Sequence, residues 1–344
     1  MNKKIVVLFV LLGWALCCNA QADLHFSQFY KISILRNPAL TGVFDGDYKF
    51  GVYFRQQWNS IASPYTTMMA TAESRVALSQ TSEDFLSYGF LAFSDKAGSL
   101  DQTITSFYPA INYNKSLNAD HRSFLSVGIT GGYIQYSFDP GKATFNSQFI
   151  DEEFDPGAPT GERLPKPKMG FWDMGTGVGY NTSFGDLNKT TLILGMAGYH
   201  FNNPSLSYYH TPGVNLNTRW NGNAALNYSI NDNLDLQAQG NYAHQGTYEE
   251  IIAGVILNGA FHSAMTTQLF GFGAGAFYRV NDAIIPTIKV KYENVCLHVS
   301  YDVNVSTLKD ASNLQGAWEI TCFYIGNYKG GKDGATRKLM CPNF

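Results

Sequence analysis

The 344-residue chain has 15% charged residues and 15% aromatic ones, with 24 Phe and 21 Tyr, whereas an ordinary soluble domain carries about 25% charged residues. Its formal net charge of −3 offers no basic footprint for nucleic acid. Past the first twenty residues no apolar run reaches the roughly 20 residues a spanning helix needs; because lipid admits only helices and closed barrels, a membrane chain of this composition is a β-barrel.

Residues 1–20 read as a secretory leader. Lys3 and Lys4 form the positive start, Ile5 to Leu16 the short apolar core, and Cys18-Asn19-Ala20 places small residues where a signal peptidase reads them. Cleavage is expected before Gln21. Lipidation at Cys17 or Cys18 is the weaker alternative, because bulky Leu16 precedes Cys17 where a small residue is wanted. Loss of Lys3 and Lys4 leaves 22 basic against 27 acidic residues, near −5. Three cysteines then remain, Cys296, Cys322 and Cys341; an odd number is no disulfide framework, and the spacings are not those of a zinc site.

Residues 21–46 show no strand pattern and are expected to form an N-terminal plug or periplasmic segment. Period-two alternation begins near residue 47 and runs to 326. In Val295–Val305 the positions Val295, Leu297, Val299, Tyr301, Val303 and Val305 alternate with Cys296, His298, Ser300, Asp302 and Asn304. Leu234–Tyr242, Trp220–Ile230 and Tyr48–Trp58 repeat the pattern, with Asn221, Asn223, Gln237, Lys49 and Arg55 on the polar faces. Such alternation fits any half-buried antiparallel sheet. Segments of about ten residues or more match a tilted membrane-crossing strand. Aromatics near segment ends, such as Tyr48 and Trp58, Trp172 and Tyr180, or Trp318 and Tyr324, match interfacial girdles. The soluble alternative is a lipocalin-like barrel or a sandwich with its polar face outward.

The expected fold is therefore all-β: a transmembrane, up-and-down antiparallel barrel of about fourteen strands. They lie near 47–58, 66–78, 86–95, 103–114, 122–138, 169–184, 189–202, 217–230, 233–245, 248–258, 267–280, 283–293, 294–305 and 315–326. An even number places both termini on one side, the periplasmic one, and puts the long stretches 139–168, 203–216 and 306–314 on the other. Residues 327–344 form a C-terminal periplasmic tail. Lys329, Lys332, Arg337 and Lys338 against Asp333 make it basic, which suits an acidic protein partner. Phe26, Phe29 and Tyr30 would be costly to leave in water, and Asn37-Pro38 fixes a turn; with the basic tail they are the candidate plug or partner contacts.

Candidate chemistry is sparse. The histidines His25, His121, His200, His210, His244, His262 and His298 show no paired metal-ligand spacing. His298, Ser300 and Asp302 share one strand face, where side chains point in parallel and do not form a nucleophile relay without a third strand; a lumen hydrogen-bond network is the expected role. The acidic run Asp151, Glu152, Glu153 and Asp155 is a calcium candidate, although the EF-hand pattern is absent. Gly175, Gly177 and Gly179, and again Gly271, Gly273 and Gly275, share a face. Neither triplet is a dinucleotide loop, which needs a strand-to-helix turn, and no cofactor is implied. Each is either a docking wall for a plug or partner or a site of barrel curvature. Arg55, Glu73 and Arg75 are expected to project inward, with Arg55 and Glu73 nearly opposite each other; with Glu319 they extend the lumen network. Cys296 is expected to point in and Cys322 out, which argues against a bridge.

The chain resembles the PorP/SprF family of outer-membrane proteins of the type IX secretion and gliding machinery of Bacteroidota. The resemblance runs over nearly the whole mature chain: Phe26-Ser27-Gln28-Phe29-Tyr30, Asn37-Pro38-Ala39 and Gly42, Arg55 with Trp58, Glu73, Pro159-Thr160-Gly161-Glu162, Asp173 with Gly175, Gly177 and Tyr180, then Ser300-Tyr301-Asp302, Gly316 and Glu319. The family's usual Cys-Pro-Arg-Phe end stands here as Cys341-Pro342-Asn343-Phe344. The resemblance implies a multi-pass outer-membrane protein in contact with lipid. It also implies partners: periplasmic ring components of the secretion system, and a secreted cargo such as a large adhesin. The leading function is thus a non-enzymatic secretion component. The alternatives are a passive channel or hydrophobic-substrate transporter and, third, an outer-membrane enzyme, for which no convincing nucleophile-base pair is present.

Overall fold

The computed structural model describes residues 23–59, 63–78, 83–118, 122–150, 153–162, 166–185, 189–262, 269–307 and 309–328. The leader, Asp151, Glu152 and the tail residues Lys329, Lys332, Arg337 and Lys338 lie outside them. Fourteen antiparallel strands close into one barrel. They are β1 (Tyr48–Gln57), β2 (Tyr65–Ala77), β3 (Phe85–Ala97), β4 (Gln102–Ser116), β5 (Ser123–Ser137), β8 (Lys168–Phe184), β9 (Thr190–Tyr199), β10 (Arg219–Asn231), β11 (Leu234–Gln245), β12 (Tyr248–His262), β13 (Leu269–Arg279), β14 (Ala283–Tyr292), β15 (Val295–Asn304) and β16 (Gln315–Gly326). Successive barrel strands pair as hairpins, and β1 pairs with β16 to close the wall, Tyr48 opposite Gly326 and Gln57 opposite Ala317.

These strands match the expected fourteen in number and order. Two departures have local causes. The strand expected over 189–202 stops at Tyr199 because His200 takes a φ of 62°, which turns the chain out of the sheet. The long connection after β5 holds a small ladder of its own, β6 (Phe149–Ile150) with β7 (Glu153–Phe154).

The alternation sorts the faces. Along β15, Cys296, His298, Ser300, Asp302 and Asn304 are buried, while Leu297, Val299 and Tyr301 are exposed. Phe50, Val52, Ile111, Val127 and Ile129 are likewise outside. An apolar outer surface and a polar interior invert the soluble barrel and exclude that alternative. Rings gather at both ends of the wall. Tyr48 packs on Tyr324 and Tyr328 with centroids 6.2 and 5.4 Å apart; at the other end Trp58 meets Tyr65, Phe54 meets Trp318 and Tyr133 meets Trp172.

The end that holds Tyr48 and Gly326 is called here the terminus end; the opposite, loop end carries the connections 138–167, 200–218 and 305–314. Residues 23–46 lie inside the lumen. They form only short turns of helix, Phe29–Lys31, Ser33–Arg36 and Pro38–Leu40. The segment enters β1 at the terminus end, where Asp47 N–H donates to Gly326 at 2.8 Å. Its first described residue, Asp23, is at the loop end beside His200, Arg219 and Gln245. This corrects the expectation that the N-terminal segment gathers on the side of the C-terminal tail. An even strand number does bring Asp47 and Gly326 together, but the segment before β1 crosses the whole lumen.

Arginine at Val299, midway along β15, is expected to destabilise the folded barrel by roughly 2–4 kcal/mol, and at Leu236, near one end of β11, by less than about 1 kcal/mol. Arginine at the turn residue Asn233 should be neutral. Urea unfolding in bilayers, followed by loss of the heat-modifiable gel form, measures the gradient; equal losses at Val299 and Asn233 would show that the faces are wrongly assigned.

Candidate functional site

The lumen is built from a wall of inward polar side chains and a plug that they hold. A chain inside a barrel cannot complete a sheet ladder, so its carbonyls need partners from the wall. Tyr53 Oη donates to Lys31 O at 2.9 Å and Tyr199 Oη to Ile34 O at 2.7 Å. Asn112 Nδ2 donates to Ala39 O and Thr41 O at 2.9 and 2.8 Å. Asn221 Nδ2 reaches Leu35 O and Arg36 O, both at 3.2 Å.

Charge clamps the plug at three levels. At the loop end, His200 lies between two carboxylates: Nε2 is 2.6 Å from Asp23 and Nδ1 is 2.8 Å from Asp173, which also accepts from Tyr108 Oη at 2.7 Å. Burial disfavours the protonated ring, but the two carboxylates prevail and push the His200 pKa up to about 9. Just below, Glu319 accepts the backbone N–H groups of Ser27 and Gln28 at 2.7 and 2.8 Å and pairs with Arg55. Asp302 accepts Ser27 Oγ at 2.6 Å and pairs with Arg279 at 2.5 Å. Nearer the terminus end, Glu73 pairs with Lys49 at 2.7 Å and accepts Gly42 N–H at 2.9 Å.

Arg55 and Glu73 thus both face inward but are not opposite each other. Arg55 faces Thr67 on one side and Glu319 on the other, and Glu73 faces Lys49. They belong to separate clusters, because the register of β1 with β2 is set by the hairpin and not by charge. Arg75 is half-buried, 5.7 Å from the Phe85 ring. His298, Ser300 and Asp302 do not act on one another: His298 lies 3.5 Å from Cys296 Sγ, Ser300 accepts from Gln28, and Asp302 serves Ser27 and Arg279. Cys296 is buried and Cys322 half-buried, both as free thiols.

The plug's apolar residues meet an apolar patch of the inner wall. Tyr30 stacks on Phe277 with centroids 4.9 Å apart, and Phe29 packs on it edge-on; Ile252, Ile256 and Ile285 complete this cluster. Phe26 joins a second one with Tyr53, Met69 and Leu91. Asn37 caps the turn through Ala39 N–H at 2.9 Å and donates to Val178 O and Asn223 Oδ1, both at 3.0 Å. Glycines make room for this turn. A Cβ on Gly128 would lie 2.3 Å from Pro38 C, and one on Gly177 would lie 2.0 Å from Asn37 Oδ1. Within the first glycine triplet, Gly177 and Gly179 therefore face the plug, at Asn37 and Ala39, whereas a Cβ on Gly175 would meet Tyr199 and Gly198 of the adjoining strand. The second triplet does not face it: Cβ atoms at Gly273 and Gly275 would meet Asn258, Val255 and Ile256 of the adjoining strand, and one at Gly271 would come no closer than 3.4 Å to anything. In the acidic run, Asp155 accepts Gly157 N–H at 2.8 Å and Glu153 lies in β7.

Sequence reasoning missed Asp23, Arg36, Asn112, His200 and Arg279 as plug holders. One signal was present: the doublets Ile251-Ile252 and Ile284-Ile285 break the polar face, which is what an apolar plug requires of the wall facing it.

A profile of the type IX secretion system membrane protein family PorP/SprF matches residues 18–324. No curated protein matches. Among solved structures, a Pseudomonas aeruginosa FadL homologue is similar at 11% identity and a TM-score of 0.50, over 84% of this chain and 92% of that one. The Ralstonia pickettii toluene transporter TbuX is similar at 10% identity and a TM-score of 0.47, over 84% and 91%. At these identities the likeness is one of barrel fold.

Gly128→Ala is expected to displace the plug but not the wall. In planar bilayers it should raise single-channel conductance well above that of the wild type, while Gly271→Ala, with space for its methyl, should not. Equal conductance of all three forms would mean that Gly128 does not seat the plug. The His200 clamp carries a pH dependence. Its pKa is raised on folding from 6.5 to about 9, so its contribution is full below about pH 6.5 and lost as pH rises through 9. Hydrogen exchange at Asp23–Leu24 should quicken across that window beyond the intrinsic base catalysis, and His200→Gln should abolish the extra step.

Proposed function

Because the chain belongs to the PorP/SprF family of type IX secretion system membrane proteins, we propose that it is a non-enzymatic outer-membrane component that supports export or surface attachment of a secreted partner, such as a large adhesin of a gliding apparatus. The observation that carries this reading is the family match over 18–324 combined with a lumen filled by the protein's own residues 23–46. A barrel occupied in this way is a poor passive pore and a good scaffold. In this reading the leader is removed before Gln21, and the terminus end faces the periplasm with the basic tail. Lys329, Lys332, Arg337 and Lys338 then meet an acidic face of a periplasmic ring component. Phe26, Phe29, Tyr30, Asn37 and Pro38 act as plug contacts, and the loop end presents the connections 138–167, 200–218 and 305–314 to the cargo.

The alternative, hydrophobic-substrate transport, draws on one specific feature. At the loop end a cavity of about 260 Å³ lies above the plug, lined by Trp58, Tyr65, Phe93 and Tyr136 among others. The plug closes the path beyond it, so transport would require the plug to move.

The readings separate by experiment. Truncation after Tyr328 should leave a stably inserted barrel but lose ring components from a mild-detergent pull-down read by mass spectrometry, and the cargo should no longer reach the cell surface. Full surface display from an inserted truncation would remove the tail from the mechanism. Saturable uptake of hydrocarbon by liposomes holding only this protein would favour transport.

A further inference from the structure

The loop-end cavity above the plug, about 260 Å³ in volume, is walled by one strip of the barrel. Across β1 to β5 a single register row runs Arg55, Thr67, Asp95, Ile104, Tyr136, each about 4.8 Å from the next. All five line the cavity. Phe93 and Ile134, two residues deeper along β3 and β5, share that inward face and line it as well. Leu24 and Leu35 of the plug pack against this apolar patch. Trp58 and Tyr65 stand on the loop-end side, their rings 4.9 Å apart.

The charged groups in this lining are satisfied but for one. Asp23 pairs with His200 at 2.6 Å and with Arg219 at 3.5 Å. Arg55 pairs with Glu319 and Asp302 and donates to His25 at 3.3 Å. Asp95 is half-buried and accepts Thr67 Oγ1 at 2.5 Å, but no cation among the described residues pairs with it. Lys96, next to it in the chain, is exposed and pairs with Asp101 instead. A carboxylate takes about four hydrogen bonds, and one set in an apolar wall is costly unless its charge is met. Carboxylate and ring faces together attract a cation. A hydrocarbon would leave Asp95 unmet, and an anion would be repelled. Volume sets the size of the occupant. A cavity of about 150 Å³ takes benzene, so this one has room for roughly nine or ten non-hydrogen atoms.

We propose that this cavity binds one small amphipathic amine, its ammonium on Asp95 and its apolar body against Phe93, Ile104, Ile134 and Tyr136. Occupancy needs no movement of the plug, so the site rests on neither the secretion reading nor the transport one.

The test uses the purified full-length barrel in lipid nanodiscs. Phenethylamine is titrated in by calorimetry at neutral pH, with empty nanodiscs as the blank and phenethyl alcohol, the same body with a neutral head, as comparator. One amine should bind saturably per barrel, about tenfold or more tighter than the alcohol, the difference that a charge-assisted contact makes. Phenylacetate should not bind. Asp95→Asn, which keeps the side-chain shape and an acceptor for Thr67, should remove the preference for the amine and leave the affinity for the alcohol unchanged. No saturable binding of the amine beyond that of empty nanodiscs would overturn the proposal, as would equal affinities for amine and alcohol; both are read on the wild type and stand even if the variant fails to fold. An undiminished preference in folded Asp95→Asn would overturn the assignment of the ammonium to Asp95.

Discussion

A chain threaded through a barrel cannot join the ladder of the wall, so the backbone polar groups that its own short turns leave open need side chains of the wall as partners. This constraint organises the lumen. Residues 23–46 contain no regular element longer than four residues, far below the length at which a helix holds itself together. Their conformation is therefore fixed by the wall: by Tyr53, Asn112, Tyr199 and Asn221 on carbonyls, and by Glu73 and Glu319 on N–H groups. The dependence runs both ways. Glu319 and Asp302 are almost wholly buried, at 1% exposure each, and without Ser27 and Gln28 their oxygens would lose donors that the plug now supplies. Removing one partner from such a buried ionic cluster costs about 3–5 kcal/mol. Wall and plug are best regarded as one cooperative unit.

Charge is divided along the lumen axis. Toward the loop end lie Asp23, Asp173, Asp302 and Glu319, matched by His200, Arg55 and Arg279. Toward the terminus end lie Lys31, Arg36, Lys49 and Lys289, with Glu73 paired to one of them. In the loop-end group each cation contacts two acids or more, so the loss of one contact leaves another in place. The terminus-end group has no such redundancy among the residues described. Among the described residues the plug's charges are thus paired with protein acids at one level and not at the other, although both levels are similarly buried.

What could be read from the sequence follows from distance along the chain. Period-two alternation is local, and a strand such as Val295–Asn304 declares both its existence and its faces within ten residues. Strand number, order and inward sets were therefore legible. Register and plug contacts are not local. Arg55 was expected near Glu73 because both lie in the first hairpin, but its carboxylate partner is Glu319, 264 residues away. Ser27 meets the same Glu319 across 292 residues. No pattern within a single sequence carries that information. The glycine triplets show the limit most clearly. Gly175-x-Gly177-x-Gly179 and Gly271-x-Gly273-x-Gly275 are identical in spacing and in facing inward, yet Asn37 and Ala39 come to rest beside the first and not the second. That choice was made by where Gly128 and Gly195 fall on the neighbouring strands, a property of the closed barrel.

The path of the plug also decides how the lumen can open. At the terminus end the plug is continuous with β1, and Asp47 is tied to Gly326 of β16 and, through its own carbonyl, to Arg75 N–H. To free that end the chain would have to peel the barrel seam. At the loop end, among the described residues, Asp23 is held by side chains alone: His200, Arg219 and the amide of Gln245. These contacts can break without disturbing a single ladder hydrogen bond. Release of the described segment from this end would start at Asp23, meet the Glu319 and Asp302 clamp on Ser27 and Gln28 next, and reach the glycine cradle and Asn112 at Asn37 only after that. A partner bound among the connections at the loop end lies beside the first contact to break, and one bound at the terminus end lies beside the last. Control of the lumen by a ligand of the loop end needs only differential affinity for the freed and seated forms of a few residues; control from the terminus end would have to be transmitted through the seam.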